Sequence, residues 1–421
     1  MNSELTVLII GGVWPEPASS GAGLRMMQLI ELFRKQQWHV IYASTAADSE
    51  YMYDLDAMAV ERQAIAVNDS SFDRFVGALQ PDMVLFDRFM MEEQFGWRVA
   101  KACPDAMRII ETIDLHCLRH ARHQQFRRRP AVVTDISQSD LLNDIAVREI
   151  AAIHRCDLSL LISDAEMDLL QTRFSVSADI IHLCPFMFAP LHEATPSFEA
   201  RENFITIGNF RHAPNWDAVL WLKQQIWPLI RSRLPEAELH VYGAYAPPKA
   251  LALHQPDSGF HLLGRADDVD AVMRQARVCL APLRFGAGVK TKLADAMRNG
   301  APNVTTSVGA EGMQRELPWA GKLADEASAF ADAAVALYRD ADQWRQAQQR
   351  GFTIVRRLFD ARSNGEALID RILQVKKSLT NHRQQQFTGM MLNHHHQRSC
   401  EFMSRWIEAK NALARQCNME P

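Results

Sequence analysis

The sequence predicts an α/β protein built from two Rossmann-like, doubly wound domains that face each other across a cleft. Short apolar segments alternate with amphipathic helical patterns along most of the 421 residues, an order typical of parallel sheets covered by helices on both faces. This length is enough for two such domains, each with its own core. A segment with three prolines and little periodicity, Pro185–Glu202, divides the pattern into two series. We therefore expect domains at 1–187 and 203–358, joined by a linker at 188–202.

The first series consists of short apolar runs of strand length with helical patterns between them. The strand candidates are Thr6–Ile10, His39–Ala43, Ala64–Val67, Met83–Phe86, Arg108–Glu111, Leu158–Ile162 and Ile180–Leu183. The helical patterns cover Gly23–Gln37, Phe72–Leu79, Ser139–His154 and Asp164–Arg173. In such sheets ligands bind at the carboxyl ends of the strands, so the loops that follow these strands are expected to line the cleft.

The second series repeats this order. Its strand candidates are Phe204–Ile207, Glu238–Tyr242, Phe260–Leu263, Val278–Ala281 and Pro302–Thr305. The helical patterns cover Trp216–Leu234, Val269–Ala276, Val289–Arg298 and Ala327–Tyr338. A further helix is expected within 359–380, near Glu366–Lys376. Residues 381–421 are polar and irregular, which predicts a poorly ordered tail with one short helix around Glu401–Ala414.

Composition and charge place the chain among soluble globular proteins. Apolar residues make up 48% and charged residues 23% of the sequence, and a net charge of −4 gives no general reason to expect nucleic-acid binding. The seven cysteines show no CxxC pair and no zinc-like spacing, as expected of thiols in a reducing compartment. The opening residues lack a basic region and a cleavage site, and no uncharged apolar run is long enough to cross a membrane. We expect a cytoplasmic protein.

The most informative segment is Ala281–Met313, which has the pattern of a strand, a glycine loop, a helix and another strand. The helix is expected to begin near Val289 and to end at Asn299-Gly300, where glycine suits a left-handed position. Pro302 then prevents the helix from continuing.

Glycines and basic residues at the start of this helix indicate an anion site. Gly286 and Gly288 let the backbone approach a ligand closely where the helix exposes unpaired amides. Arg284 and Lys290 add positive charge on either side, so this chemistry suggests a diphosphate ligand. Asp295, one and a half turns into the helix, is placed to accept hydrogen bonds from sugar hydroxyls. The alternative is an ordinary strand-to-helix turn in which the glycines serve only the turn.

His116 and Asp114 are the candidates for chemistry in the first half. Both follow the strand candidate Arg108–Glu111 and so lie at a carboxyl end of the predicted sheet. A histidine there can hydrogen-bond an acceptor hydroxyl or a sugar, with Asp114 fixing its tautomer. The alternative is a loop histidine without a role, because the chain has 15 histidines.

The opening loop Gly11–Gly23 holds four glycines and two prolines. It lacks the GxGxxG spacing of a dinucleotide site, and no acidic residue ends the next strand to hold a ribose. Hydride transfer is therefore disfavoured. The alternative for this segment is a long surface loop.

The segment Arg119–Arg129 concentrates five arginines and two histidines. Such a run is usually a solvated face. Its place just beyond Asp114 and His116 leaves a second interpretation open, in which it draws the protein to anionic lipid or to a lipid-diphosphate acceptor.

Two segments imitate metal sites. Asp268-Val269-Asp270 has a DxD spacing, but it begins a predicted helix, where acidic side chains act as caps. The histidine run 394–396 lies in the predicted tail, away from any core. We expect no metal and no cofactor.

Four segments, together with their order and spacing along the chain, carry a family resemblance. The run PLRFGAGVKTKLADAM resembles the donor-binding signature of family 4 (group 1) glycosyltransferases, which have the two-domain GT-B fold. The similar segments are GGVWPEPASSGAGLRMMQLIELF, IDLHCLR and IGNFRHAPNWDAVLWL, and together they cover roughly residues 5–375. The resemblance implies a retaining, metal-independent sugar transfer from a nucleotide-diphosphate sugar. It also implies that the helix within 359–380 crosses back to the first domain.

The resemblance assigns roles to single residues of this chain. Gly21 and Gly23 correspond to a flexible loop that meets the acceptor and the phosphate of the transferred sugar. Arg211 is the basic residue that faces the donor phosphates, and Gly243 lies near the nucleotide base, as do Gly264 and Arg265. His116, Asp114 and Lys290 are assigned to catalysis, and Arg119 to the acceptor side.

The chain departs from the family at the glycine loop. Many members carry two glutamates with seven residues between them there, and this chain has Ala287 and Asp295 instead. A shorter carboxylate can still hold a ribose hydroxyl, whereas the first interaction is lost or is taken over by Arg284 or Lys290.

The sequence thus predicts a glycosyltransferase that uses a nucleotide sugar and a saccharide or lipid-linked acceptor, in cell-surface polysaccharide synthesis. It would act in the cytoplasm, with contact to the anionic inner face of a membrane left open, and without nucleic acid as a partner. Two alternatives stay open: a non-catalytic GT-B scaffold or regulatory protein, and a nucleotide-sugar epimerase.

Overall fold

The computed structural model describes residues 5–189 and 195–417, which form two α/β domains, each built on a parallel sheet. The first sheet has the order β3-β2-β1-β4-β5-β6-β7. Its strands are β1 (Thr6–Gly11), β2 (His39–Ser44), β3 (Glu61–Ala64), β4 (Met83–Asp87), β5 (Met107–Glu111), β6 (Leu158–Leu161) and β7 (Ile181–Leu183). The second sheet has the order β10-β9-β8-β11-β12-β13. Its strands are β8 (Glu202–Ile207), β9 (Leu239–Tyr242), β10 (Phe260–Gly264), β11 (Ala276–Ala281), β12 (Asn303–Thr305) and β13 (Gly321–Leu323).

Helices cover both faces of each sheet. Those of the first half are α1 (Gly21–Lys35), α2 (Ser71–Leu79), α3 (Phe89–Ala102), α4 (His116–Arg128), α5 (Gln138–Leu141), α6 (Asp144–Arg155) and α7 (Asp164–Phe174). Those that follow are α8 (Ala213–Trp221), α9 (Trp227–Arg231), α10 (Pro248–Leu251), α11 (Val269–Gln275), α12 (Thr291–Arg298), α13 (Ser307–Ala310), α14 (Ala327–Arg339) and α15 (Ala341–Leu358). The chain ends with α16 (Ala361–Lys377), α17 (Leu379–Gln385) and α18 (Phe387–Cys417). The predicted class of two doubly wound domains is confirmed.

Edge strands and long helices differ most from the sequence-based expectation. Strand β3 pairs with β2 through the polar residues Glu61–Ala64, three residues before the apolar run that suggested it. An edge strand exposed to water needs no apolar pattern, so periodicity misplaces it. The helix expected over Ser139–His154 is two helices, because the side chain of Asn143 caps α6 by accepting from the amide of Ala146.

Helix α16 packs on the first domain, although it follows the second in sequence. Its side chains Leu368, Ile372 and Val375 join the core that contains Val7 and Leu29. The chain therefore crosses between domains twice, and the crossings touch. The amide of Phe188 donates to the carbonyl of Phe359 (2.7 Å), and the amide of Ala361 donates to the carbonyl of Phe188 (3.1 Å).

The expectation of a poorly ordered tail is wrong for residues 381–417, which form the end of α17 and the long helix α18. Polar side chains fix α18 to helices α3 and α6: Arg98 donates to Ser404 (2.9 Å), and Lys101 donates to Glu401 (2.7 Å). A composition-based expectation missed this because the contacts are polar and their partners lie about 300 residues away in sequence. Residues 418–421 lie outside the described part of the chain.

Candidate functional site

A cleft of about 540 Å³ lies where the carboxyl ends of the two sheets face each other. The first domain contributes the loop after β1, Arg88 after β4 and Asp114 after β5. The second domain contributes the loops after β8, β9 and β11 and the first turns of α12. The residues expected from the sequence that line this cleft are Gly21, Gly23, Asp114, Arg119, Arg211, Gly243, Arg265, Gly286, Lys290 and Asp295.

The glycine loop after β11 is built for close contact with the first domain. Gly288 has φ of +64°, and a Cβ there would lie 2.8 Å from Asp114 Cβ and 2.9 Å from the Ile113 carbonyl oxygen. Its amide donates to Glu166 Oε1 (2.8 Å). Gly288 therefore lies against the first domain, and its amide, which we expected to face a diphosphate, is occupied by a carboxylate in this structure.

Glu166 connects the two domains through hydrogen bonds. The Oε1 atom also accepts from the amide of Leu115 (3.0 Å), so one oxygen holds the loop after β5 and the glycine loop together. Its Oε2 atom is buried without a hydrogen-bond partner. Burial, with nearby Asp114, raises the pKa of Glu166 to about 8. Sequence reasoning missed this residue, because it lies on α7, outside the loops where ligand contacts were expected.

Two lysines supply positive charge at the start of α12. Lys290 precedes the helix, and its Nζ donates to the Gly288 carbonyl (2.6 Å). Lys292 Nζ donates to Asn215 Oδ1 (2.8 Å). Burial lowers the pKa of both lysines to about 8. Lys292, which the sequence analysis did not single out, was already visible in the KTK of the glycine-loop motif.

Other second-domain groups complete this wall. Burial raises the pKa of Asp295 to about 7, although Arg298 Nε lies 3.4 Å from its Oδ1 and opposes the shift. The guanidinium of Arg211 lies 3.5 Å from the ring centroid of Tyr245, next to Gly243. Helix α12 ends as expected, with Gly300 at φ of +71°.

The opposite wall carries a linked set of polar groups. Arg119 Nε lies 3.2 Å from Asp114 Oδ2, and Arg119 Nη1 lies 3.1 Å from Nε2 of His212, a second-domain residue. Burial opposes ionisation of Asp114, but Arg119 and the neighbouring histidines lower its pKa below the usual value. Burial and Arg119 lower the pKa of His212 to about 4, so this ring is neutral at pH 7. His212 follows Arg211 directly, and this adjacency was the only signal for it in the sequence.

His116 lies behind Asp114 and is not among the cleft-lining residues. Its Nε2 is buried without a hydrogen-bond partner, 3.6 Å from Asp114 Oδ1, and its ring packs edge-on against Phe89. Burial lowers its pKa to about 4. In this structure His116 lies next to Asp114 and outside the cleft lining, so its expected direct contact with a substrate stays a prediction.

Arg284 is also displaced from the expected site. Its guanidinium forms two hydrogen bonds with Asp217, at 2.9 and 2.6 Å, and lies against the rings of Phe126 and Trp221. The pairing with Asp217 holds this side chain away from the cleft, whereas its neighbours Leu283 and Phe285 line it.

The basic run 119–129 forms much of α4, and its members serve different purposes. Arg122 is buried and donates to Glu311 (2.8 and 2.6 Å) and to the Gly286 carbonyl (2.9 Å). Arg128 pairs with Asp140 at the surface. The run is thus not a single solvated face: part of it binds the second domain to the first.

The two segments that imitate metal sites are described by the structure to different extents. Asp268 caps α11 by accepting from the amide of Ala271 (3.0 Å), as expected. The histidine run lies within α18, and the side chains of His395 and His396 lie outside the described atoms. In the described part of the chain, no group of three or more His, Cys, Asp or Glu side chains is arranged to hold a metal ion.

Comparison with known proteins agrees with this architecture. Residues 201–340 match the family of group 1 glycosyl transferases. Sucrose-phosphate synthase from Thermosynechococcus elongatus superposes with a TM-score of 0.66 at 17% identity, over 89% of this chain and all of that one. HepE from Anabaena, solved with UDP and glucose, superposes with a TM-score of 0.66 at 14% identity, over 88% of this chain and all of that one.

These likenesses define the fold as GT-B, and the family match places the group 1 pattern in the second domain. A curated relative, an uncharacterized 44.6 kDa protein in the cps region of Klebsiella pneumoniae, is 26% identical over 117 residues. That match spans 26% of this chain and 30% of the relative. Membership of family 4 in particular stays a prediction.

Proposed function

We propose that the protein is a retaining, metal-independent glycosyltransferase that moves a sugar from a nucleotide-diphosphate sugar to a saccharide or lipid-linked acceptor. The observation that carries the proposal is the cleft, where Lys290, Lys292 and Arg211 on one wall face the Asp114–Arg119 pair on the other. The family match over 201–340, which contains all three of these cations, supports the donor assignment.

The second domain would bind the donor. The ammonium groups of Lys290 and Lys292, together with the amides at the start of α12, offer positive charge to a diphosphate. As the bond from the sugar to the diphosphate breaks, negative charge grows on the leaving oxygen, and fixed cations in a water-poor cleft stabilise it. Arg211 and Tyr245 would meet the outer part of the nucleotide, beside Gly243. Asp295 would accept from a ribose hydroxyl.

The first domain would bring the acceptor. The Asp114 carboxylate lines the cleft and can accept a hydrogen bond from an acceptor hydroxyl, with Arg119 holding its orientation. His116 would position Asp114 from behind. The loop with Gly21 and Gly23 would close over the transferred sugar. Because Gly21 lies against Thr291 at the start of α12, this loop meets the donor helix only when the domains are together.

We assign the reaction to cell-surface polysaccharide synthesis in the cytoplasm. The location of the Klebsiella relative in a cps region supports the assignment to polysaccharide synthesis. Buried free thiols support the assignment to the reducing cytoplasm; they are Cys103, Cys117, Cys156, Cys184 and Cys279.

The test is calorimetric titration with UDP, GDP, ADP and dTDP, followed by a panel of nucleotide sugars assayed for released nucleotide. Lys290→Ala should weaken diphosphate binding by about 10- to 150-fold, since a hydrogen bond to a charged group contributes about 1.5–3 kcal/mol. Lys377→Ala, on the exposed end of α16, is the matched control and should bind as the wild type does.

Three results would contradict the proposal. Full activity of Lys290→Ala would remove the donor-site assignment. Absence of heat with every nucleotide would favour a non-catalytic scaffold. Interconversion of the sugar without an acceptor would favour an epimerase.

A further inference from the structure

The outer face of α18 carries an apolar surface that nothing in the described chain covers. Seventeen large apolar side chains are exposed among the described residues, and every Phe, Met and Trp in that set lies on this helix. They are Phe387, Met390, Met391, Phe402, Met403 and Trp406, and Leu413 lies on the helix with them. An exposed patch of this kind on a soluble protein normally marks an interaction site.

Three of these apolar residues form one stripe in the second half of the helix. Phe402, Trp406 and Leu413 follow each other at spacings of four and seven, which places them on one side of an α-helix. Phe402 is 69% exposed and Trp406 is 61% exposed. By helical position, Arg405 and Lys410 flank the stripe on opposite sides.

The acidic residues of the helix face the other way. Glu401 accepts from Lys101 of α3 (2.7 Å), and Glu408 accepts from the amide of Ser70 before α2 (3.0 Å). These contacts turn both carboxylates toward the first domain. Glu401 also pairs with Arg405 of its own helix (2.6 Å), whose side chain stays more than half exposed. What the helix presents outward is therefore an apolar stripe bordered by cations.

The distribution of charge along the chain also favours a cationic border around the stripe. Helix α18 contains four Lys and Arg and two Glu, whereas the whole chain has a net charge of −4. The helix that exposes the apolar stripe therefore carries an excess of positive charge. An amphipathic helix with aromatic and aliphatic residues on one face and cations at its borders is typical of helices that lie on anionic lipid. None of the described helices is long and apolar enough to cross a bilayer, so the helix would lie in the interface.

We propose that α18 binds the surface of an anionic lipid bilayer, with Phe402, Trp406 and Leu413 inserted among the acyl chains and Arg405 and Lys410 at the headgroups. A bilayer fits better than a protein groove because the cations stand on both borders of a convex stripe, where long side chains reach upward to phosphates. Since α18 packs on α3 and α6, this contact would hold the first domain, the proposed acceptor domain, at the lipid surface. The proposal does not depend on sugar transfer.

Flotation of the full chain with vesicles tests the proposal. Vesicles of phosphatidylcholine and phosphatidylglycerol at 7:3 should carry the protein, and phosphatidylcholine alone should bind at least tenfold less. Phe402→Ser/Trp406→Ser should lower binding to the mixed vesicles at least tenfold, and Lys410→Glu should lower it severalfold. Leu251→Ser/Val67→Ser, which changes exposed apolar residues elsewhere, is the matched control and should bind like the wild type.

Thermal unfolding and nucleotide titration accompany each variant. Unchanged melting is expected because the altered side chains are exposed, and unchanged nucleotide binding separates this inference from the proposed function. Equal binding to both vesicle types, or equal binding of Phe402→Ser/Trp406→Ser and wild type, would overturn the proposal. A dimer in light scattering that the double substitution converts to monomer, without vesicle binding, would assign the stripe to a second copy of the chain instead.

Discussion

The contact between Gly288 and the first domain yields a prediction with a built-in control. Gly288 and Gly264 both have a left-handed backbone, with φ of +64° and +75°. A Cβ at Gly264 would meet nothing within 4 Å, whereas a Cβ at Gly288 would lie 2.8 Å from Asp114 Cβ. Gly264→Ala therefore measures backbone strain alone, and Gly288→Ala measures the same strain plus a collision between the domains.

The two effects differ in size and in kind. The left-handed conformation costs an L-residue about 1–2 kcal/mol, so both variants should melt roughly 2–8 °C lower. Carbon atoms prefer a separation of about 3.5–4.0 Å, so Gly288→Ala must also move the walls apart by roughly 1 Å. That movement stretches the Glu166–Gly288 hydrogen bond, now 2.8 Å, beyond its limit. With a pKa of about 8, Glu166 is largely protonated at pH 7, so losing this hydrogen bond disfavours the closed form by about 1 kcal/mol, or roughly fivefold.

Small-angle scattering and nucleotide titration distinguish the variants. Gly288→Ala should have a larger radius of gyration than Gly264→Ala and should release nucleotide from the donor sugar severalfold more slowly than the wild type. If the two variants show the same radius and the same turnover, the Gly288 contact does not control closure and the reasoning fails.

Three further predictions concern buried charges. Arg201→Ala should lower the melting temperature by more than either glycine variant, because its guanidinium donates to four backbone carbonyls that would lose this partner. An unchanged melting temperature would contradict this prediction. Glu166→Gln should keep the compact form, since an amide oxygen can still accept from the amide of Gly288. Glu166→Ala removes the acceptor and should increase the radius of gyration in small-angle scattering. An equal increase in both variants would show that the charge of Glu166, and not its hydrogen bond, holds the domains together. Nucleotide affinity should fall as the pH rises through about 8, where Lys290 and Lys292 lose their protons. Lys292→Arg should make that fall smaller in titrations at pH 7 and 9, because only Lys290 then titrates; an unchanged fall would contradict a role for Lys292.

Much of the fold followed from local pattern. Buried parallel strands such as Met83–Asp87 are continuous apolar runs, and the termination of α12 at Gly300 needs only a glycine with positive φ. The cleft position followed from a general property of parallel sheets. These features depend on residues close together in sequence, which is why they could be predicted.

The details of the site depended on contacts between distant residues. Arg284 lies in the right loop, but its partner Asp217 is 67 residues away and turns it from the cleft. The histidine that reaches the cleft is His212, which the second domain supplies to Arg119 of the first. A one-dimensional pattern gives the loop to which a side chain belongs, and packing between domains decides which way it points.

The double crossing at Phe188 has a mechanical consequence. Because the outgoing and returning strands are hydrogen-bonded to each other at Phe188, Phe359 and Ala361, both covalent links between the lobes pass through one narrow ribbon. The two links must therefore move together when the angle between the lobes changes, while α16 anchors the far end of the chain to the first lobe. Opening to admit a substrate would then rotate one lobe against the other about this point. A chain that ended before α16 would lose one of the two links between the lobes.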